Sequence, residues 1–226
     1  MRLLVFGATG ATGKEVLRLA SAEGWNAHAF VRANADRQVA EFAERMHRGD
    51  VTDPAATTPA LAGVDAVAVC LGISRRSRSP FAPLVSPADL TSRATAAIVA
   101  GMRAQRVRRI VYVSAFGAGE SWGEIPWWGR AFIAASRVRF SIADHTRSEA
   151  LLAASGLDWT ALRPMMLDDR PATQPAREMR PGDSLLNKVP RAALARTILR
   201  ALADRGSYGR ALPLSADRPR AATHRA

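Results

Sequence analysis

Short apolar runs alternate along this chain with longer stretches whose apolar positions recur at helical spacing. The run Arg2 to Phe6 predicts a strand, and Val16, Leu17, Leu19 and Ala20 predict a helix over Lys14 to Ala22. A strand is predicted over Ala27 to Val31, then a helix near Arg37 to Glu44 and a short strand at Arg45 to Arg48. Asp53 is placed to cap a short helix running through Leu61. Asp65 to Leu71 is apolar on both faces, as a strand in the centre of a parallel sheet must be. Gly72 to Pro87, with three prolines, reads as a polar loop. Leu90, Ala94, Ala97, Ile98, Gly101 and Met102 form the stripe of a helix over Ala88 to Gln105. A strand at Arg109 to Ser114 precedes a Gly- and Trp-rich loop and helical segments through Ala154, then a strand at Leu157 to Leu162. An irregular stretch runs to Val189, Pro190 opens a helix over Arg191 to Ala203, and Gly209 to Leu214 is the last strand. This alternation predicts an α/β single-domain Rossmann fold over residues 1–215: a doubly wound, mostly parallel sheet with helices on both faces. The tail from Ala216 has little to bury and is expected to be disordered.

Composition adds limits. A length of 226 residues suits one such domain. No apolar run approaches the roughly 20 residues that cross a bilayer, and Met1 leads straight into the first strand, so no membrane partner and no secretory leader are expected. Cys70 is the single cysteine and lies in the apolar run Val67 to Leu71, which reads as a buried thiol of a cytoplasmic protein. The net charge of +12 is carried almost wholly by arginine, since Lys14 and Lys188 are the only lysines. These arginines are scattered and no aromatic-basic motif accompanies them, so nucleic acid is not an expected partner, while anionic small molecules are. His28, His47 and His224 lack metal-ligand spacing, and no metal is expected. The chain is expected to be a monomer or weak dimer.

Chemistry begins where the first strand ends. Gly7-Ala8-Thr9-Gly10-Ala11-Thr12-Gly13 joins that strand to the first helix. Glycine at such a turn accepts backbone angles closed to other residues, lets the main chain approach a pyrophosphate, and packs helix tightly on strand. The helix start then points its N–H groups at the anion. Arg32 closes the second strand about 20 residues on, where a carboxylate would select NAD by its ribose hydroxyl. A guanidinium suits a 2′-phosphate instead, so NADP(H) is the expected cofactor, with Asp36 counting against and Arg37 for it.

Ligands of such sheets sit beyond the carboxyl ends of the strands. Asp50 and Val51 are thus placed to receive the adenine, and Leu71, Gly72 and Ile73 to pass close to ribose and pyrophosphate. Ser114, followed by Ala115 and Phe116, ends a strand near the expected nicotinamide, to bind its carboxamide, orient substrate or relay a proton. Pro164 and Met165 would lie beside the same ring, and Met166 would give an adaptable pocket wall. Asp144-His145 opens a helix through Leu152, with Asp144 as its N-cap; His145 is either a proton donor touching substrate or a surface histidine. Trp122, Trp127 and Trp128 form either a lid over a flat substrate or a buried helix or dimer face. The chain's two tyrosines, Tyr112 and Tyr208, have no lysine four residues later, so the Tyr-x-x-x-Lys acid of ordinary short-chain dehydrogenases is missing. An acceptor that takes its proton from water, such as an oxidised flavin or a conjugated tetrapyrrole, fits better than a carbonyl.

The glycine turn, Val31-Arg32, Gly49-Asp50-Val51, Val113-Ser114-Ala115-Phe116, Asp144-His145-Thr146-Arg147 and Ser155 to Pro164 follow in this order. Together they resemble the atypical short-chain dehydrogenase/reductase group that contains the biliverdin IXβ and flavin reductases, from the first strand to about Leu214. The resemblance implies NADPH as donor, a flavin (as substrate rather than prosthetic group) or linear tetrapyrrole as acceptor, Ser114 as the catalytic or nicotinamide-positioning residue, and His145 near the substrate. Phe116, the three tryptophans, His145 and Met166 would line the acceptor pocket. The loop after Phe116 is longer and richer in tryptophan than the group's, and Ile73-Ser74-Arg75-Arg76 brings its own arginines. The glycine turn is shared with NmrA-like regulators, so a non-catalytic NADP(H) sensor is the alternative.

Overall fold

The computed structural model describes residues 1–33, 39–180 and 182–216. Among the described residues ten strands form: β1 (Arg2–Phe6), β2 (Asn26–Val31), β3 (Arg45–Arg48), β4 (Ala66–Val69), β5 (Arg109–Val113), β6 (Asp158–Pro164), β7 (Met166–Asp168), β8 (Arg177–Glu178), β9 (Lys188–Pro190) and β10 (Arg210–Ser215). Eight make one sheet in the order β3-β2-β1-β4-β5-β6-β10-β8, parallel throughout except at the β10–β8 edge. From β1 the chain winds outward through β2 and β3, then crosses back to β4 on the other side. The direction therefore switches between β1 and β4, which opens a crevice at their carboxyl ends.

Side-chain alternation along β1 divides the core in two. Leu3 and Val5 face α1 (Ala11–Ala22) and α6 (Arg191–Ala203), whereas Leu4 and Phe6 face the layer of α2 (Pro54–Ala60), α3 (Leu90–Ala104) and α5 (Val138–Ala153). The Asp53 carboxylate accepts the N–H of Ala55 and so caps α2, as its position before Pro54 implies. A buried guanidinium fastens α6: Arg109 donates to the carbonyls of Ala201 and Leu202, at the helix's negative end, and stacks on Tyr208. Burial lowers its pKa to about 10, which leaves it charged. The remaining helix, α4 (Trp127–Ala135), stands at the rim with only Gly129 buried.

The fold corrects several sequence expectations. Val39 to Glu44 form tight turns rather than a helix, because Val39 is anchored in the core and Glu44 bonds back to Ala27. The other expectations at Asp36 and Arg37 lie outside the described residues, as do His224 and the tail beyond Ala216. Strand β6 continues two residues past Leu162, since β10 keeps pairing with Arg163 and Pro164. The stretch before Val189 is not wholly irregular: β7 pairs with β9, and β8 edges the main sheet. The helix holding Asp144 and His145 starts six residues earlier, at Val138, which changes the meaning of both residues.

Candidate active site

Gly7 leaves β1 with φ +76°, and a Cβ there would stand 2.5 Å from the carbonyl oxygen of Cys70, at the end of β4. A Cβ on Gly13 would overlap the Gly7 carbonyl, so the first turn of α1 lies directly on the strand exit. Both positions require glycine for the chain's own packing. Gly10 caps α1 without any side-chain hydrogen bond, and no acidic residue stands in the first turn. The N–H groups of Ala11, Thr12 and Gly13 thus point, uncapped by a side chain, into the crevice beside Thr9. That donor set, at the switch between β1 and β4, fits a pyrophosphate. A cleft of about 560 Å³ adjoins it at Ala11 and Lys14 and reaches Arg170 and Arg191.

The sheet register spreads the other expected residues along one edge. Phe6, Val69 and Tyr112 lie in one row across β1, β4 and β5. Ser114 is therefore two strands, roughly 10 Å, from the glycine turn, a gap that a ribose and a six-membered ring bridge. On the opposite side Arg32 follows β2 and is exposed, and Asp50 follows β3. The Asp50 carboxylate accepts both the N–H and the hydroxyl of Thr52 at 2.8 and 2.9 Å, and these bonds hold its pKa below the usual carboxylate range. Val51 packs on the core. Leu71, Gly72 and Ile73 run out from β4, and a Cβ on Gly72 would meet no atom of the protein. The edge thus offers one elongated bed, with Arg32, Asp50 and Val51 after β2 and β3 and Ser114 at the far end.

Around Ser114 the structure assembles a network that sequence reasoning missed. Its hydroxyl donates to Glu149 Oε1 at 2.5 Å. Arg163, only 2% exposed, grips both Glu149 oxygens with Nε and Nη2, and both Glu120 oxygens with its two terminal nitrogens. Burial alone would lower the Arg163 pKa, but the two carboxylates outweigh it and raise the value. The bond to Arg163 in turn lowers the Glu120 pKa. A clue was present: a charged residue between Leu162 and Pro164, inside a strand destined for burial, requires a partner. Because Ser114 gives its proton to Glu149, its oxygen keeps lone pairs with which to accept. Ser114 is set to accept a hydrogen bond.

His145 lies elsewhere. It is 5% exposed, in the middle of α5, and its Nδ1 meets the Tyr112 hydroxyl at 2.7 Å. Burial pushes its pKa down to about 4, so the ring is neutral near pH 7. Neither a helix-start surface histidine nor a cationic proton donor describes it. Asp144 likewise does not cap its own helix. Its buried carboxylate accepts the N–H groups and hydroxyls of Thr91 and Ser92, and so caps α3 from across the layer.

The remaining expected pocket residues divide. Phe116 and Pro164 are buried, and the Phe116 N–H bonds the Pro164 carbonyl, extending the β5–β6 ladder past Ser114 and Ala115. Met165 and Trp122 are half-buried, and Met166 is exposed on β7. Trp127 and Trp128 stand out into solvent at 75% and 55% exposure. Cys70 has its thiol pushed up to about 12 by burial, which leaves it inert. Among the described residues no cluster of His, Cys, Asp and Glu has the makings of a metal site, and no helix is long and apolar enough to cross a membrane.

Known proteins share this fold. ChuY, an anaerobilin reductase from Escherichia coli O157:H7, superposes with a TM-score of 0.78 over 98% of this chain and 100% of its own, at 22% identity. A short-chain dehydrogenase/reductase from Veillonella parvula, solved with NADP, gives 0.75 over 95% and 94% at 17% identity. In sequence, the photosystem II assembly factor Ycf39 of Cyanophora paradoxa is 26% identical over 165 residues. Those residues are 72% of this chain and 44% of that protein, so the chain spans less than half of that relative. The family model for NAD(P)H-binding proteins matches residues 7–205, nearly the whole fold, and the chain belongs to that NAD(P)H-binding family.

Proposed function

We propose that the protein is an NADPH-dependent reductase acting on a flavin or another flat conjugated acceptor. The observation that carries this reading is that the potential acids near β5 are committed elsewhere. Tyr112 is buried against His145 with its pKa raised by burial, and Tyr208 lies under Arg109 at the opposite end of the strand. Ser114 has turned its proton toward Glu149. Nothing in this arrangement protonates an alkoxide, so the acceptor takes its proton from water. When bound, the dinucleotide supplies hydride from its dihydronicotinamide. The chain contributes the N–H cradle at α1, the Arg32 guanidinium for a 2′-phosphate, and the Ser114 oxygen as acceptor for a carboxamide or substrate N–H. Its likeness to a reductase such as ChuY supports the same reading.

Two substitutions test it. Ser114→Ala should lower kcat with FMN, FAD or a quinone dye by about ten- to hundredfold while the Kd for NADPH shifts much less, because misplacing the reacting ring costs rate. A protein that binds NADPH yet reduces no acceptor in such a panel would be an NmrA-like sensor instead. Arg32→Ala should weaken NADPH about tenfold or more and leave NADH unchanged, the loss of one charge-assisted contact. Fluorescence titration reads both, and equal affinities of the unmutated protein for NADH and NADPH would remove the role given to Arg32.

A further inference from the structure

Helix α4, Trp-Trp-Gly-Arg-Ala-Phe-Ile-Ala-Ala, has Arg130 as its only charged residue, yet of its nine residues only Gly129 is buried. Trp127, Trp128 and Phe132 are exposed, and Phe132 meets Phe81 edge-on at 5.9 Å. Phe81 and the exposed Val85 belong to the loop after β4, which is tied to the α4–α5 connection by the Arg137 N–H on the Pro80 carbonyl at 2.8 Å. Two segments, 73–88 and 125–143, thus share one face. Between them they carry Arg75, Arg76, Arg78, Arg130, Arg137 and Arg139, and not one aspartate or glutamate. Arg78 reaches Asp169 of a neighbouring segment only at 3.8 Å, with both side chains well exposed.

We propose that this face docks on an anionic lipid bilayer, with Trp127, Trp128 and Phe132 entering the headgroup region and the arginines meeting lipid phosphates. An exposed aromatic patch of this extent marks an interaction surface. Aromatic rings beside arginines, on a short helix lying along the surface, match the chemistry of a bilayer interface. A second copy of the chain fits less well. A two-fold contact through the same patch would set these arginines against their own symmetry mates. The sequence argument against a membrane concerned spanning segments, and surface docking needs none.

The test uses the full chain and vesicles in flotation assays, with tryptophan emission followed in parallel. The protein should float with mixed phosphatidylcholine–phosphatidylglycerol vesicles and not with pure phosphatidylcholine, and its emission should shift to the blue. Trp127→Ser with Trp128→Ser and Phe132→Ser should reduce partitioning by about tenfold or more. Arg76→Ala with Arg78→Ala and Arg137→Ala should reduce it on the order of a hundredfold, about fivefold for each basic residue. All six positions are exposed, and unchanged melting curves establish that the variants fold. No binding to anionic vesicles would overturn the proposal. So would binding that survives the loss of all three aromatic rings, which would mean bulk charge attraction alone. A lipid-free dimer by sedimentation that the aromatic substitutions dissociate would assign the face to a second copy and overturn it equally.

Discussion

Arg163→Met should lower the free energy of unfolding by about 3–5 kcal/mol, the usual cost of leaving a buried charge without its partner. Urea titration of the purified protein reads it. Methionine nearly fills the space but abandons Glu149, which is itself buried between α5 and β6. Adding Glu149→Gln to Arg163→Met should recover at least half of the loss, because the stranded charge then disappears. Glu120→Gln, by contrast, should cost no more than about 1 kcal/mol, since the Glu120 side chain is largely open to water. If Arg163→Met were as stable as the unmutated chain, the network would be a surface ornament and not a buried anchor.

The same substitution reaches the proposed chemistry. Without Arg163, Glu149 loses the guanidinium that fixes its carboxylate, and the carboxylate no longer holds the Ser114 hydroxyl in one orientation. The lone pairs of the Ser114 oxygen then lose their fixed direction. Arg163→Met should therefore depress kcat about as far as Ser114→Ala does, although Arg163 is buried behind Glu149. Its role is to position Ser114. A variant that lost stability but kept full turnover would separate the two functions.

Local patterns made the scaffold readable: apolar alternation in β1, the helical stripe of α3, and a proline just before α6 each act within a few residues. The glycine turn was equally plain, because its constraints are steric and lie within one loop. What escaped were partnerships over long separations. Ser114 and Glu149 are 35 residues apart, and Asp144 and Thr91 are 53 apart, so no window along the chain joins them. Spacing showed that Asp144 and His145 belong to a helix running through Leu152. It did not show where that helix began, because Val138-Arg139-Phe140 carries no capping residue and α5 starts from Arg137 without a side-chain cap. An error of six residues made an interior carboxylate look like an N-cap and a buried imidazole look accessible.

Asp144 offers the other large effect. Asp144→Ala should destabilise the protein by about 3–5 kcal/mol, more than the roughly 1 kcal/mol typical of a lost N-cap. The excess arises because its carboxylate is fully buried and serves two N–H groups and two hydroxyls at the start of α3, most of which lose their acceptor inside the protein, while the Ser92 hydroxyl keeps the Asp89 carbonyl. Asp144→Asn keeps the size and one acceptor oxygen, and should cost less. The acid response follows from the same bonds. Burial alone would raise the Asp144 pKa, but the donors of Ser92 and Thr91 prevail and hold it below the ordinary carboxylate value. The unfolded chain then binds its proton more readily than the folded one, so this contribution is present above the unfolded pKa and disappears as pH falls through the folded one. His145, neutral in the fold down to about pH 4, adds a loss that begins earlier, near its unfolded value of 6.5. Stability should thus decline in two stages on acidification, and Asp144→Asn should shrink the lower stage, to which Asp50 and Glu120 also contribute, while leaving the upper. A lower stage of equal size in both proteins would mean that the carboxylate is not what holds α3 to α5.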